Sequence, residues 1–177
     1  MITIQESGMT FGPFVEDHVF YIEKSPNLLT LNQGSKKSEG LAISEFLLFK
    51  TENNKNYISI IEAKTSSPRP ANRDDFDKYI GEIKSKLSNS LHLFIAYHSN
   101  RHSSGFNELP NQFKVLPLEK IDFELVLVIR TIEDAWLRPV LDDLRPALKP
   151  LTKIWNISPT AIKVFNEAEA RKHHLVS

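Results

Sequence analysis

Two apolar runs separated by a short asparagine-rich turn, LAISEFLLF from Leu41 and YISIIEAK from Tyr57, constrain this chain more than any other feature. Runs of that length, rich in β-branched and aromatic residues and joined by KTENNKN, predict a β-hairpin. Side chains alternate along a strand, so Ile58, Ile60, Glu62 and Lys64 share one face, as do Ile43, Glu45, Leu47 and Phe49. A turn centred between Asn53 and Asn54 sets Glu45 opposite Glu62 and Ile43 opposite Lys64, and the three polar groups converge. The register matters: a slip of one residue sends Glu45 to the other face.

Like charges directly opposed across a hairpin destabilise it, and Glu45 and Glu62 lie within apolar runs where an uncompensated charge is costly. A divalent cation resolves both problems, because Mg²⁺ or Mn²⁺ binds a few carboxylate oxygens together with water and phosphate. At such a site a phosphate is polarised and a bound water made acidic, while a lysine positions that water and stabilises developing charge. The reaction predicted is phosphodiester hydrolysis. The competing reading is a solvated sheet face with an incidental salt bridge.

At 177 residues with a formal net charge of zero, the chain suits one domain, 1–177, with a core over about 41–165, and lacks a global field that would draw it onto nucleic acid. Any such contact must come from a local patch or a metal. The absence of cysteine excludes disulfides, thiolate zinc sites and cysteine nucleophiles. No apolar run is long enough for a membrane span and MITIQESGMT lacks leader features, so a cytoplasmic protein with no membrane partner is expected.

Elsewhere, Phe14 to Leu31 predicts one or two strands with a turn at Ser25, Pro26 and Asn27, and the polar stretch from Asn32 to Glu39 a mobile loop. Phe76, Ile80, Ile83, Leu87, Leu91 and Phe94 recur at helical spacing, which predicts a long amphipathic helix from Arg73 to about His98. Its far end, LHLFIAY, reads equally as a strand. His98 to Pro117 reads as an irregular loop, and IDFELVLVIR as a central strand buried on both faces. Pro139, Pro146 and Pro150 divide the helical pattern from Glu133 to Trp155 into two or three short helices. A last strand over about Ala161 to Phe165 precedes a polar tail. This order predicts an α/β fold, a central mixed β-sheet flanked by helices.

The acid in ISEFLLF followed by Glu62-Ala63-Lys64 in IIEAKTS resembles the PD-(D/E)xK nuclease superfamily over about Leu41 to Tyr97, with Glu45 in place of the usual Asp and Ser44 in place of proline. The resemblance implies a restriction-endonuclease-like core and a Mg²⁺- or Mn²⁺-dependent DNA endonuclease, with a role in restriction, repair or phage defence. It assigns Glu45 and Glu62 as metal ligands and Lys64 as the catalytic lysine. It also makes Glu23 a candidate additional acid. Glu82-Ile83-Lys84 repeats the motif but falls in the predicted helix, where its ends point apart. Arg69, Arg73 and Lys86 are candidate nucleic-acid contacts, weighed against solvated loop or boundary positions. So small a chain leaves little surface for reading a DNA sequence, which favours a homodimer, a partner subunit or non-specific cutting. The alternative function is a catalytically inactive nuclease-fold subunit that binds nucleic acid or protein.

Overall fold

The computed structural model describes residues 1–34 and 40–177, so most of the predicted Asn32–Glu39 loop lies outside the described residues. The chain opens with a hairpin that the sequence reading did not anticipate, β1 (Ile2–Glu6) and β2 (Met9–Phe14). Its two-residue turn places Ser7 and Gly8 at positive φ, as a tight hairpin requires. Strand β3 (Val19–Phe20) is short, and α1 (Pro26–Leu31) replaces the second strand expected there. Ser25 explains the difference: its hydroxyl accepts from Leu28 N–H at 3.3 Å, with Pro26 in the first helical position, a combination that starts helices.

Strands β4 (Phe46–Glu52) and β5 (Lys55–Ser66) form the expected hairpin. Phe46 pairs with Ile61 and Glu52 with Lys55, so the turn is centred between Asn53 and Asn54, both at positive φ. The next element, α2 (Arg73–His98), is helical to its end, LHLFIAY included. The stretch expected to be irregular contains α3 (Ser103–Glu108) and α4 (Asn111–Lys114), the latter capped by the Asp17 carboxylate on Asn111 N–H at 2.9 Å and Gln112 N–H at 3.0 Å.

After β6 (Ile121–Thr131) comes one continuous helix, α5 (Asp134–Ile154), where two or three were expected. Each proline withdraws a donor from the carbonyl four residues earlier. Those carbonyls belong to Ala135, Asp142 and Pro146, all exposed residues, where water can take the missing donor's place; meanwhile the buried Val140, Leu144, Leu148 and Leu151 hold one unbroken face. Strand β7 (Ile162–Asn166) follows, then α6 (Glu167–Lys172). The supposed polar tail is docked: Leu175 and Val176 are buried, and Val176 bridges to Phe11.

The main sheet has the order β3-β4-β5-β6-β7, antiparallel up to β5 and parallel from β5 to β7. It is a mixed α/β fold, a five-stranded sheet flanked by helices. The two crossovers, β5-α2-β6 and β6-α5-β7, lay both long helices on one face, as the preferred hand of parallel connections requires. That face buries Leu47, Phe49, Ile58, Ile60 and Leu125 against α2 and α5. The opposite face buries Phe46, Leu48, Ile61, Ala63, Val126 and Val128 against the β1-β2 hairpin and Ala170 of α6. The middle strand is β5 rather than β6; β6 lies between β5 and β7 and is buried from Phe123 to Ile129.

Candidate metal centre

The hairpin's alternation carries Glu62 and Lys64 onto the face covered by α2, in line with Ile58 and Ile60. Glu45 stands just before β4 rather than within it. The strand expected from Leu41 begins only at Phe46, because α2 captures the preceding segment: Ser90 Oγ accepts from Ser44 N–H at 2.8 Å and Asn89 Nδ2 donates to the Ala42 carbonyl at 3.1 Å. Glu45 nevertheless keeps sheet contact. Its N–H donates to the Ile61 carbonyl at 3.1 Å, and its own carbonyl accepts from Glu23 N–H at 3.3 Å. That second bond seats the 3₁₀ turn Ile22–Lys24 beside it.

The structure brings Glu45, Glu62 and Lys64 to one place, together with Lys86 of α2. Lys86 Nζ lies 2.9 Å from Glu62 Oε1 and 3.7 Å from Glu45 Oε1. Lys64 Nζ lies 3.5 Å from the same Glu62 oxygen and 2.5 Å from Glu82 Oε1. The second Glu-x-Lys is therefore helical, as expected, yet its Glu82 steadies Lys64. On the other side of Glu45, oxygens of Glu6, Glu23 and Glu45 lie within 4.8 Å of one another. Glu6 went unnoticed in the sequence, where the one available sign was its place before the Ser7-Gly8 turn. Ser7 fixes that turn here, its hydroxyl donating to the Ala63 carbonyl of β5 at 3.0 Å.

Burial dominates the electrostatics. Glu62 is fully buried, and its pKa is pushed up to about 7 against the opposing charges of Lys86 and Lys64. Glu45 is pushed up to about 9 by burial first, then by the hydrogen bond to the Glu23 carboxyl and the nearby charges of Glu62 and Glu23; Lys86 opposes the shift. Lys86 itself is held above its ordinary value: burial would lower it, and Glu62, then Glu45 and Glu23, outweigh that. Tyr79 of α2 is raised by burial and by the charges of Glu62 and Glu82, and its hydroxyl has no hydrogen-bond partner among the described residues.

Glu62 Oε1 meets the two lysine ammoniums, whereas Glu62 Oε2 and Glu45 Oε2 are buried with no hydrogen-bond partner among the described residues, which native proteins rarely leave unexplained. Two buried carboxylates with orphaned oxygens, and two more carboxylates beside them, form the hard oxygen set that suits Mg²⁺ or Mn²⁺. The residues present thus fit a divalent cation.

The other two candidates, Arg69 and Arg73, meet α2 and α5 rather than the acids of the site. Arg73 is engaged by Asp77 at 2.7 Å and Asp143 at 2.8 Å. Arg69 lies over the Trp136 ring, its guanidinium carbon 5.9 Å from the centroid. No protein-family model matches the chain, and no curated protein matches it. Among solved structures it is similar to the restriction endonuclease FokI, at 14% identity and a TM-score of 0.42, over 76% of this chain and 20% of that one. The chain thus spans a small part of that protein's length. No helix among the described residues is long and apolar enough to cross a membrane.

Proposed function

We propose that this chain is a divalent-metal-dependent nuclease that hydrolyses phosphodiester bonds in DNA. The observation that carries the reading is Glu62: a carboxylate with no exposed surface, one oxygen met by two lysine ammoniums and the other without a partner among the described residues, beside a second buried carboxylate. In this reading Glu45 and Glu62 hold Mg²⁺ or Mn²⁺, with Glu23 and Glu6 as flanking acids. The cation, when bound, supplies Lewis-acid polarisation of the phosphate and lowers the pKa of a water.

Lys64 has the catalytic role. Its ammonium, oriented by Glu82 and Glu62, positions the attacking water and stabilises the negative charge that develops on the phosphoryl oxygens. Burial of the acids keeps competing water from their oxygens. Arg69 and Lys86 supply backbone contacts, which position the strand without reading its sequence. Arg73 contributes less, since two aspartates already compensate its charge. Restriction, repair or phage defence are settings for such an activity.

The test is cleavage of plasmid DNA, and of RNA in parallel, by the purified protein with Mg²⁺ or Mn²⁺. Cutting should require the metal and fall at least about 100-fold in Lys64→Ala and Glu62→Gln variants that remain folded. Metal-independent cutting, or cutting that survives both substitutions, sinks the proposal. Binding of nucleic acid without cutting would favour a catalytically inactive subunit, and preference for RNA would correct the substrate.

A further inference from the structure

Lys86 stands between the two carboxylates that would hold the proposed cation. Its ammonium is 2.9 Å from Glu62 Oε1 and 3.7 Å from Glu45 Oε1, whereas Mg²⁺ sits about 2.0–2.1 Å from its oxygens. Two cations cannot share that position, since like charges a few ångströms apart in a buried site repel strongly. One must leave, and only one is tethered.

The tether permits it. Lys86 projects from a helix locked one turn further on by Ser90, whose hydroxyl accepts from Ser44 N–H at 2.8 Å, so no backbone shift is needed for the side chain to move. Four methylenes give the ammonium reach, and the side chain is 14% exposed, which leaves it a way out to solvent. The ammonium is held by charge at one end only: it meets Glu62 Oε1 at 2.9 Å and stands 3.7 Å from Glu45 Oε1. The contact is chiefly one of charge, which a divalent ion makes better.

Resting on the metal-dependent reading above, we propose that Lys86 is a built-in surrogate cation: it fills the metal position in the metal-free protein and is displaced by the incoming divalent ion. The consequence runs opposite to that of an ordinary site residue. Lys86 holds the two buried acids together while no metal is present, and in doing so weakens metal binding. Once displaced, its ammonium is free to meet a phosphate at the rim.

The experiment is calorimetric titration of the full chain with Mn²⁺ alone, for wild type, Lys86→Met and Glu62→Gln, with no nucleic acid present. Lys86→Met should bind Mn²⁺ about tenfold or more tightly than wild type, because it keeps the packing of the stem and removes the competitor charge. In the wild type, amine acylation read by mass spectrometry should leave Lys86 protected without metal and modified when Mn²⁺ is added. The acylation result decides the matter if Lys86→Met does not fold. Equal or weaker Mn²⁺ binding by a folded Lys86→Met, or unchanged Lys86 protection on saturation, would overturn the surrogate role and leave the metal site standing. No Mn²⁺ binding by the wild type, or binding undiminished in Glu62→Gln, would overturn the metal reading itself and the surrogate with it.

Discussion

Glu45 is unfavourable for the fold at the position where the proposed function needs a carboxylate. A carboxyl whose pKa is raised from 4.5 to about 9 binds its proton more tightly folded than unfolded, so metal-free stability falls as pH rises between those values. Glu45→Gln removes that slope. At about pH 8 the variant should unfold about 4–8 °C above wild type in chelator, equivalent to about 2 kcal/mol, while its Mn²⁺ affinity drops. A metal-free midpoint at or below that of wild type, measured by thermal denaturation, would contradict the reading. The convergence of Glu45, Glu62 and Lys64 was legible because charges in apolar strand runs obey a period of two. Lys86 was legible as a candidate phosphate contact but not as a partner of the two acids, and Glu6 was not legible at all. Lys86 lies on a helix whose rotation against the sheet is fixed by packing, and Glu6 on a hairpin that approaches from the opposite face of the sheet.

A second buried acid works at the scale of elements and has the opposite sign. Glu124 of β6 accepts from Ser59 of β5 at 2.7 Å, pairs with Lys50 of β4 at 2.8 Å, and is bonded by Lys163 of β7, so one carboxylate ties four neighbouring strands. Burial alone would raise its pKa, but Lys163, Lys50 and Ser59 together hold it below the ordinary carboxylate range. Its contribution is therefore complete above the unfolded value of 4.5 and is lost as pH falls through the depressed folded value. Glu124→Gln should cost about 1–3 kcal/mol at neutral pH, and the two denaturation curves should converge in acid. A pH-independent difference would exclude the ionised network as the cause. Element boundaries followed the same logic as these contacts. The Arg73–His98 helix was legible from its apolar period as far as LHLFIAY, whose dense apolar run fits a strand equally well, whereas α5 reads as broken in the sequence because proline speaks of the backbone locally while the decisive fact, exposure of the residues left without a donor, is tertiary.

Across the whole molecule, the site depends on contacts between segments far apart in sequence. The segment Leu175–Ser177 lies along β2: Gly12 N–H donates to the Leu175 carbonyl at 3.0 Å and Ser177 N–H to the Thr10 carbonyl at 2.9 Å, with Leu175 and Val176 buried beside Phe11. Through β2 it holds β1, and β1 delivers Glu6 to Glu23 and Glu45. Little of this was legible, since HHLVS offers only two apolar residues after a charged helix, and their partners are some 160 residues away. Removing Leu175–Ser177 should cost about 2–4 kcal/mol from lost apolar burial. If the hairpin's acid belongs to the cation site, Mn²⁺ affinity in the folded truncated protein should also fall about tenfold, by roughly 1.4 kcal/mol. Glu6→Gln should reproduce the loss of affinity with little loss of stability, because Glu6 ends its strand and its one ion pair among the described residues, to Lys24, spans 3.4 Å at the surface. Calorimetry on the two variants separates the possibilities. A matching drop in both assigns the effect to the carboxylate, whereas a drop in the truncation alone makes the hairpin a cover that shields Glu45 from water.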